Sequence, residues 1–333
     1  MIKRLALMLS ALIVIALLVQ PAFAPVNNAG LRERARPVFE IDGVVYVDEA
    51  DDGRLEIGVV GGNVFKAVQQ RLERLEIPLE RVRIVESKPI YELATLRDKV
   101  RPLVGGLQIS FVKNGLTYLC TLGFIAVRGG ITGFITNSHC TSKEFQPDGT
   151  IHHQPLPSNP VGVEVSDPPA FDCGVRGLKC RWSDSVFDQL NDEVTASLGD
   201  IASTTSLGSI TIAGNYKIAS ERSGNADIGT TLRKVGRTTG ETEGVVTNTC
   251  ADVRPIGSRV IRLCQDIVSA GTTIVAGGDS GSPVFMLADN PSTTETIEVA
   301  LYGVLWGGSS DGTTLIYSPL TNIEKDLGTL QVN

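Results

Sequence analysis

The sequence predicts an all-β body from about residue 107 to the C-terminus, preceded by a small α+β unit. Three observations carry this. After Leu107 the chain is a series of short apolar runs separated by Gly-rich turns, with almost no helical periodicity. Residues 37–92 have a different texture, in which strand-like runs flank one helical pattern. All six cysteines lie after residue 119, an even number that suits an oxidised, disulfide-stapled body better than a metal site.

Residues 1–24 read as a secretory signal. Lys3 and Arg4 precede an apolar run from Leu5 to Val19, and Ala22-Phe23-Ala24 offers small residues for cleavage. The apolar run is shorter than the roughly 20 residues a membrane span needs, so a cleaved signal is favoured over an uncleaved anchor. In residues 37–92, Val44–Val47 and Leu55–Val60 flank Ala50-Asp51-Asp52-Gly53, a turn with hairpin chemistry. Asn63 is placed to cap a helix in which Val64, Ala67, Val68, Leu72 and Leu75 share a face. Pro78 ends that helix, and Val82, Ile84 and Val85 start another strand. A unit of this size has a thin core of its own. Residues 93–106 read as the hinge between modules.

From there the expected strands are Gln108–Val112, Tyr118–Ala126, Gly133–Asn137, Asp184–Phe187, Ile210–Ala213, Thr231–Val235, Glu243–Thr247, Val260–Cys264, Ser282–Met286, Glu298–Val304 and Thr314–Ser318. Leu320–Leu327 is expected to be a short closing helix. The pair His152-His153 falls in a polar, Pro-rich stretch that reads as exposed loop.

The chemistry centres on Gly277-Gly278-Asp279-Ser280-Gly281-Ser282-Pro283. Three glycines in five residues permit a tight loop that presents Ser280 outward. The N–H groups of Gly278 and Ser280 are the natural donors to an oxyanion forming beside that hydroxyl. A glycine-rich hairpin turn is the plain alternative for the loop alone. A serine nucleophile needs a base, and of three histidines only His139 stands at the end of an apolar strand, in Thr136-Asn137-Ser138-His139-Cys140. The third member of such a set is a buried carboxylate that holds the imidazole tautomer, and Asp184 in Ser183-Asp184-Ser185-Val186-Phe187 stands in a strand-like run. The order is His139, Asp184, Ser280, with separations 184 − 139 = 45 and 280 − 184 = 96 residues.

Thr136–Cys140, Ser183–Phe187 and Gly277–Phe285 resemble the three signature segments of chymotrypsin-clan serine proteases, which share this order. Lys234-Val235-Gly236-Arg237-Thr238-Thr239-Gly240 and Gly307-Gly308-Ser309-Ser310 narrow the resemblance to the secreted bacterial streptogrisin and α-lytic protease type, over about residues 103–333. Asn137-Ser138 and Ser282 depart from the usual small residues without touching a catalytic atom. The resemblance implies two six-stranded antiparallel barrels with the site in the crevice between them. It also implies that residues 25–100 are a pro-region that assists folding and inhibits, leaving 101–333 as the protease body, made as a precursor and secreted.

Nearest-neighbour pairing is coherent among the fifteen connectivities six cysteines allow. Cys120–Cys140 is the pair the family uses, followed by Cys173–Cys180 and Cys250–Cys264. Trp306-Gly307-Gly308 matches the segment that pairs with an extended peptide in relatives, although Trp306 taken alone is an ordinary core aromatic. Ile274 is expected at the base of the primary specificity pocket, where it would disfavour Lys and Arg. Asp279, beside the nucleophile, needs a cation. Pro102 disfavours a cut after Arg101 that would free an amine, so Lys234 and Arg237 are the candidates.

The net charge of −7 comes wholly from the body. Residues 1–100 carry 14 basic and 14 acidic side chains, and the remaining 16 and 23 differ by seven. An acidic body argues against nucleic acid or an anionic membrane as partner. The expected partners are a polypeptide substrate and the chain's own pro-region. Neither cofactor nor metal is expected, and the chain is expected to act as a monomer. A catalytically silent secreted binding module on the same scaffold is the alternative.

Overall fold

The computed structural model describes residues 29–50, 52–90, 93–288 and 297–333. The expected signal, residues 1–24, and Asp51 of the expected hairpin turn lie outside the described residues. The chain divides into two compact units, Met1–Glu92 and Leu93–Asn333.

In the first unit, the strand Val44–Glu49 pairs antiparallel with Leu55–Val59, and that strand pairs parallel with Val82–Glu86. A parallel pair needs a crossover, and the helix Val64–Arg74 supplies it. Val64, Val68 and Leu72 recur at four-residue intervals and are buried against Leu55, Ile57 and Val59 in one apolar cluster. Asn63 precedes the helix but makes no capping hydrogen bond, since its own backbone is already helical (φ −69°, ψ −21°). The helix Ala29–Ala35 was not expected; it contributes Leu31 and Ala35 to the same core.

The second unit begins earlier than its expected start at residue 101. Leu96 is fully buried in its core, and Leu96 N–H donates to the Ile210 carbonyl at 2.9 Å. Residues 93–100 are therefore built into the body, because a buried leucine with a paired backbone cannot serve as free linker.

One sheet of this unit runs in the order Leu116–Thr121, Gln108–Lys113, Ile151–His153, Pro160–Ser166, Val186–Leu190, Ile131–Thr136, Phe124–Arg128. All its pairings are antiparallel. It holds seven strands, one more than expected, and Ile151–His153 was expected to be exposed loop. The correction has a chemical cause. His152 points inward and is fully buried, but both its ring nitrogens find partners: Nδ1 lies 2.6 Å from Asp188 Oδ1, and Nε2 2.8 Å from the Cys140 carbonyl.

In the second sheet, six strands pair in a closed ring: Val260–Ser269, Gly240–Val253, Thr231–Gly236, Pro283–Leu287, Glu298–Gly308 and Thr314–Pro319, which returns to Val260–Ser269. Around this ring, Ile212–Glu221, Ala196–Thr204, Leu103–Gly105 and Lys179–Arg181 extend the sheet. All seven of its expected strands extend past their expected ends. Val260–Cys264, for example, continues to Ser269, because buried Gln265 and Asp266 find hydrogen-bond partners and the segment pairs on both sides. The helix Leu320–Leu327 closes the chain as expected.

The three disulfides are Cys120–Cys140, Cys173–Cys180 and Cys250–Cys264, the nearest-neighbour pairing. Among the described residues no helix is long and apolar enough to cross a membrane.

Candidate active site

His139 lies in a single turn, Ser138–Cys140, that leaves the strand Ile131–Thr136. The turn is tied down on every side. Cys140 is bonded to Cys120, Ser138 Oγ donates to Asp167 Oδ2 at 2.8 Å, and Asn137 Nδ2 donates to the Asp184 carbonyl at 2.8 Å. Asp184 sits two residues before the strand Val186–Leu190, so it precedes the strand and is not its first residue as expected.

Asp184 is fully buried, and Oδ1 accepts from the His139 backbone N–H at 3.1 Å and faces Nδ1 at 3.2 Å. With its proton held on Nδ1, a neutral His139 ring presents the Nε2 lone pair away from Asp184. Burial favours the neutral acid at Asp184, but His139 and Arg262 and their hydrogen bonds hold it well below the usual carboxylate range. At His139 burial pushes the pKa down, yet Asp184 outweighs it and the net direction is upward from 6.5.

The Gly277–Ser282 loop carries Ser280. Gly281 shows why glycine is required there. With φ +95°, a Cβ at this position would lie 2.0 Å from the Thr121 carbonyl oxygen and 2.6 Å from Thr136 Oγ1. That close approach seats the loop against Thr136, three residues before His139. The Ser280 carbonyl accepts from Thr121 N–H at 2.8 Å, and the Gly278 carbonyl accepts from Thr121 Oγ1 at 2.9 Å. Within the loop Asp279 N–H donates to Ala276, Gly281 N–H to Leu305 and Ser282 N–H to Asp279. Among the described residues, the N–H groups of Gly278 and Ser280 meet no acceptor, and the Ser280 hydroxyl has no hydrogen-bond partner.

Asp279 is fully buried and points the other way. Oδ1 accepts from Thr238 and Thr239 N–H at 2.8 and 3.2 Å, and Oδ2 from Ala276 N–H at 3.0 Å and Thr239 Oγ1 at 2.7 Å. Lys234 Nζ stands 3.5 Å from Oδ2. Of the two cations expected there, Arg237 turns instead to Gln108 Oε1 at 2.7 Å. Burial lowers the Lys234 pKa to about 8 despite the carboxylate beside it.

A groove of about 960 Å³ opens beside His139, lined by Phe145, Asp184, Arg262, Trp306, Gly307 and Gly308 among others. Trp306–Gly308 pairs with Thr314–Pro319 on one edge, whereas its pairing with Pro283–Leu287 ends at Val304. Trp306 is only 6 % exposed and its indole N–H donates to Gln265 at 2.8 Å, so it is both core aromatic and groove wall. Ile274 is 2 % exposed and packs with Leu232, Val246 and Val268 in the core, outside this groove. Its backbone N–H donates to the Gly312 carbonyl at 2.7 Å.

Sequence reasoning missed Arg262 and Phe145. Arg262 Nη2 and Nε lie 2.5 and 3.2 Å from Asp184 Oδ2. No short motif surrounds either residue, and only an unexpected cation in an apolar strand pattern could have drawn attention to Arg262.

No family model matches the chain, and no curated protein matches it. Solved structures do. The chain is similar in structure to bacterial serine proteases. One is a glutamic acid-specific serine protease, 22 % identical, covering 69 % of this chain and 100 % of its own, with a TM-score of 0.49. A second is Thermobifida fusca protease A, 22 % identical, covering 69 % and 97 %, with a TM-score of 0.47. A third is an α-lytic protease homologue, 20 % identical, covering 69 % and 99 %, with a TM-score of 0.46.

Proposed function

We propose that the body of this chain is a secreted serine endopeptidase with His139, Asp184 and Ser280 as its catalytic residues. The observation that carries the reading is the loop itself. The N–H groups of Asp279, Gly281 and Ser282 are spent inside the protein, while among the described residues those of Gly278 and of the nucleophile itself meet no acceptor and are left for a ligand.

In the reaction, Ser280 Oγ attacks the scissile carbonyl as His139 Nε2 takes its proton. The imidazolium so formed is stabilised by Asp184, and the two free N–H groups hold the oxyanion. His139 then returns the proton to the leaving amine, giving an acyl-enzyme that water cleaves by the same steps in reverse. The edge at Trp306–Gly308, unpaired among the described residues, would add an extended polypeptide substrate as a further strand. Residues 1–24 serve as signal and 25–92 as a pro-region made with the body, which acts as a monomer. The first unit's separate core supports its folding as a module.

Covalent labelling by a fluorophosphonate tests the reading. Labelling mapped to Ser280, with cleavage of an unfolded protein substrate, is the expected result. A folded, secreted chain that takes no label points instead to a silent binding module.

A further inference from the structure

We infer that Arg262 is a positioning residue for the triad: it splits the work of Asp184, leaving one carboxylate oxygen to His139 and placing a permanent positive charge on the other, so that His139 stays neutral to lower pH than a lone carboxylate would allow. The inference rests on the proposed peptidase reading and deepens it.

The two oxygens of Asp184 have separate partners. Oδ1 serves the His139 ring and backbone N–H, while both contacts of Oδ2 are to Arg262. Arg262 is 4 % exposed, so the pair is screened from water. Its guanidinium is held between two rings, 4.9 Å from the centroid of Trp306 and 5.2 Å from that of Phe145. Phe145 in turn adopts φ +60°, an uncommon conformation for an aromatic residue. Its N–H donates to Ser138 Oγ at 2.8 Å, beside His139, and its ring also faces the buried guanidinium of Arg181, 5.1 Å away. The strained residue thus couples the base-bearing turn to the group that holds the carboxylate.

The electrostatic consequence follows from the charges that face His139. Asp184 favours the imidazolium, Arg262 opposes it, and the exposed Glu144 favours it. Behind Ser138, Asp167 is paired with Arg181, and behind Cys140, His152 is paired with Asp188. Arg181 is spent on two carboxylates, Asp167 and Asp326, so among the described residues Arg262 is the cation that moderates Asp184. A moderated carboxylate makes His139 a weaker base that is ready in its neutral form at lower pH.

The test follows His139 by NMR titration of the full chain in the Ser280→Ala background, with Arg262 intact, Arg262→Gln and Arg262→Lys. Glutamine keeps a donor without the charge, and its His139 midpoint should rise by about one unit. Lysine keeps the charge and should hold the midpoint within about half that shift. With Ser280 present, the acid limb of kcat/KM should move by the same amounts. A folded Arg262→Gln protein with an unchanged midpoint overturns the inference. Should that variant fail to fold, the Arg262 Nε resonance of the parent decides. It should titrate with the His139 midpoint, and a flat trace across that range overturns the inference. Neither NMR readout depends on peptidase activity. A chain that takes no fluorophosphonate yet shows the midpoint shift sinks the peptidase reading and leaves the electrostatic one standing.

Discussion

Lys234 and Asp279 face each other at 3.5 Å with neither side chain exposed to solvent, one residue from the nucleophile. A buried carboxylate without a cation is costly, and removing one partner of such a pair typically costs about 3–5 kcal/mol. Lys234→Met should therefore lower unfolding stability on that scale. It should also reduce fluorophosphonate labelling of Ser280 by about a hundredfold, because the loop that aims the oxyanion donors hangs on Asp279. Urea unfolding and labelling rates check the two effects separately. Arg237→Gln should leave both within about twofold if Lys234 alone serves Asp279, a factor worth well under 1 kcal/mol.

Ser280→Ala removes the attacking atom and nothing that holds the fold, since the hydroxyl has no partner among the described residues. Hydrolysis should fall by about four orders of magnitude or more. The thermal midpoint should stay within a few degrees. Activity retained in this variant, measured against a quenched protein substrate, would place the nucleophile elsewhere.

The pH dependence has a definite sign. His139 is pushed upward from 6.5, so the limb on which kcat/KM rises with pH should lie above that value. For stability the direction is opposite. A folded pKa above the unfolded one contributes below the unfolded value, and that contribution is lost as pH rises through the folded value. Activity should thus rise over the window in which the His139–Asp184 pair contributes progressively less to folding. Parallel pH profiles of kcat/KM and of the urea midpoint test the two halves of this statement.

Gly281→Ala would drive a Cβ to 2.0 Å from the Thr121 carbonyl at a backbone angle that L side chains avoid. Destabilisation of about 2–4 kcal/mol is expected, among the larger single-site effects. Gly277→Ala has open space around its Cβ and should cost less than about 1 kcal/mol. Comparable losses in the two variants, read by chemical denaturation, would mean that the loop is not wedged against Thr121 and Thr136.

His152→Gln strands Asp188, whose Oδ2 already has no partner among the described residues. It also removes the donor to the Cys140 carbonyl, next to the base. A stability loss of about 3 kcal/mol or more is expected, as for other broken buried pairs. An Asp188→Asn, His152→Gln double variant should lose less than the sum of the singles, which a double-mutant cycle measures directly.

Local chemistry carried much of this protein into view from the sequence alone. The glycines around Ser280 dictate a tight loop wherever the loop ends up. The apolar run ending at His139 dictates a strand with a base at its tip, and nearest-neighbour pairing of the six cysteines, coherent among fifteen connectivities and in line with the family resemblance, is the pairing the structure has. These features were legible because each depends on residues a few positions apart. The tertiary structure alone decided the rest. Arg262 reaches Asp184 across 78 residues of sequence, and the choice of Lys234 over Arg237 for Asp279 turned on which way a strand faces its neighbour. His152 looked like exposed loop because its immediate neighbours are polar. It was reassigned by what lies across the sheet from it: Asp188 and a carbonyl. A buried polar group is stable only when partners from distant strands satisfy it, and which strands those are is set by the pairing of the whole sheet.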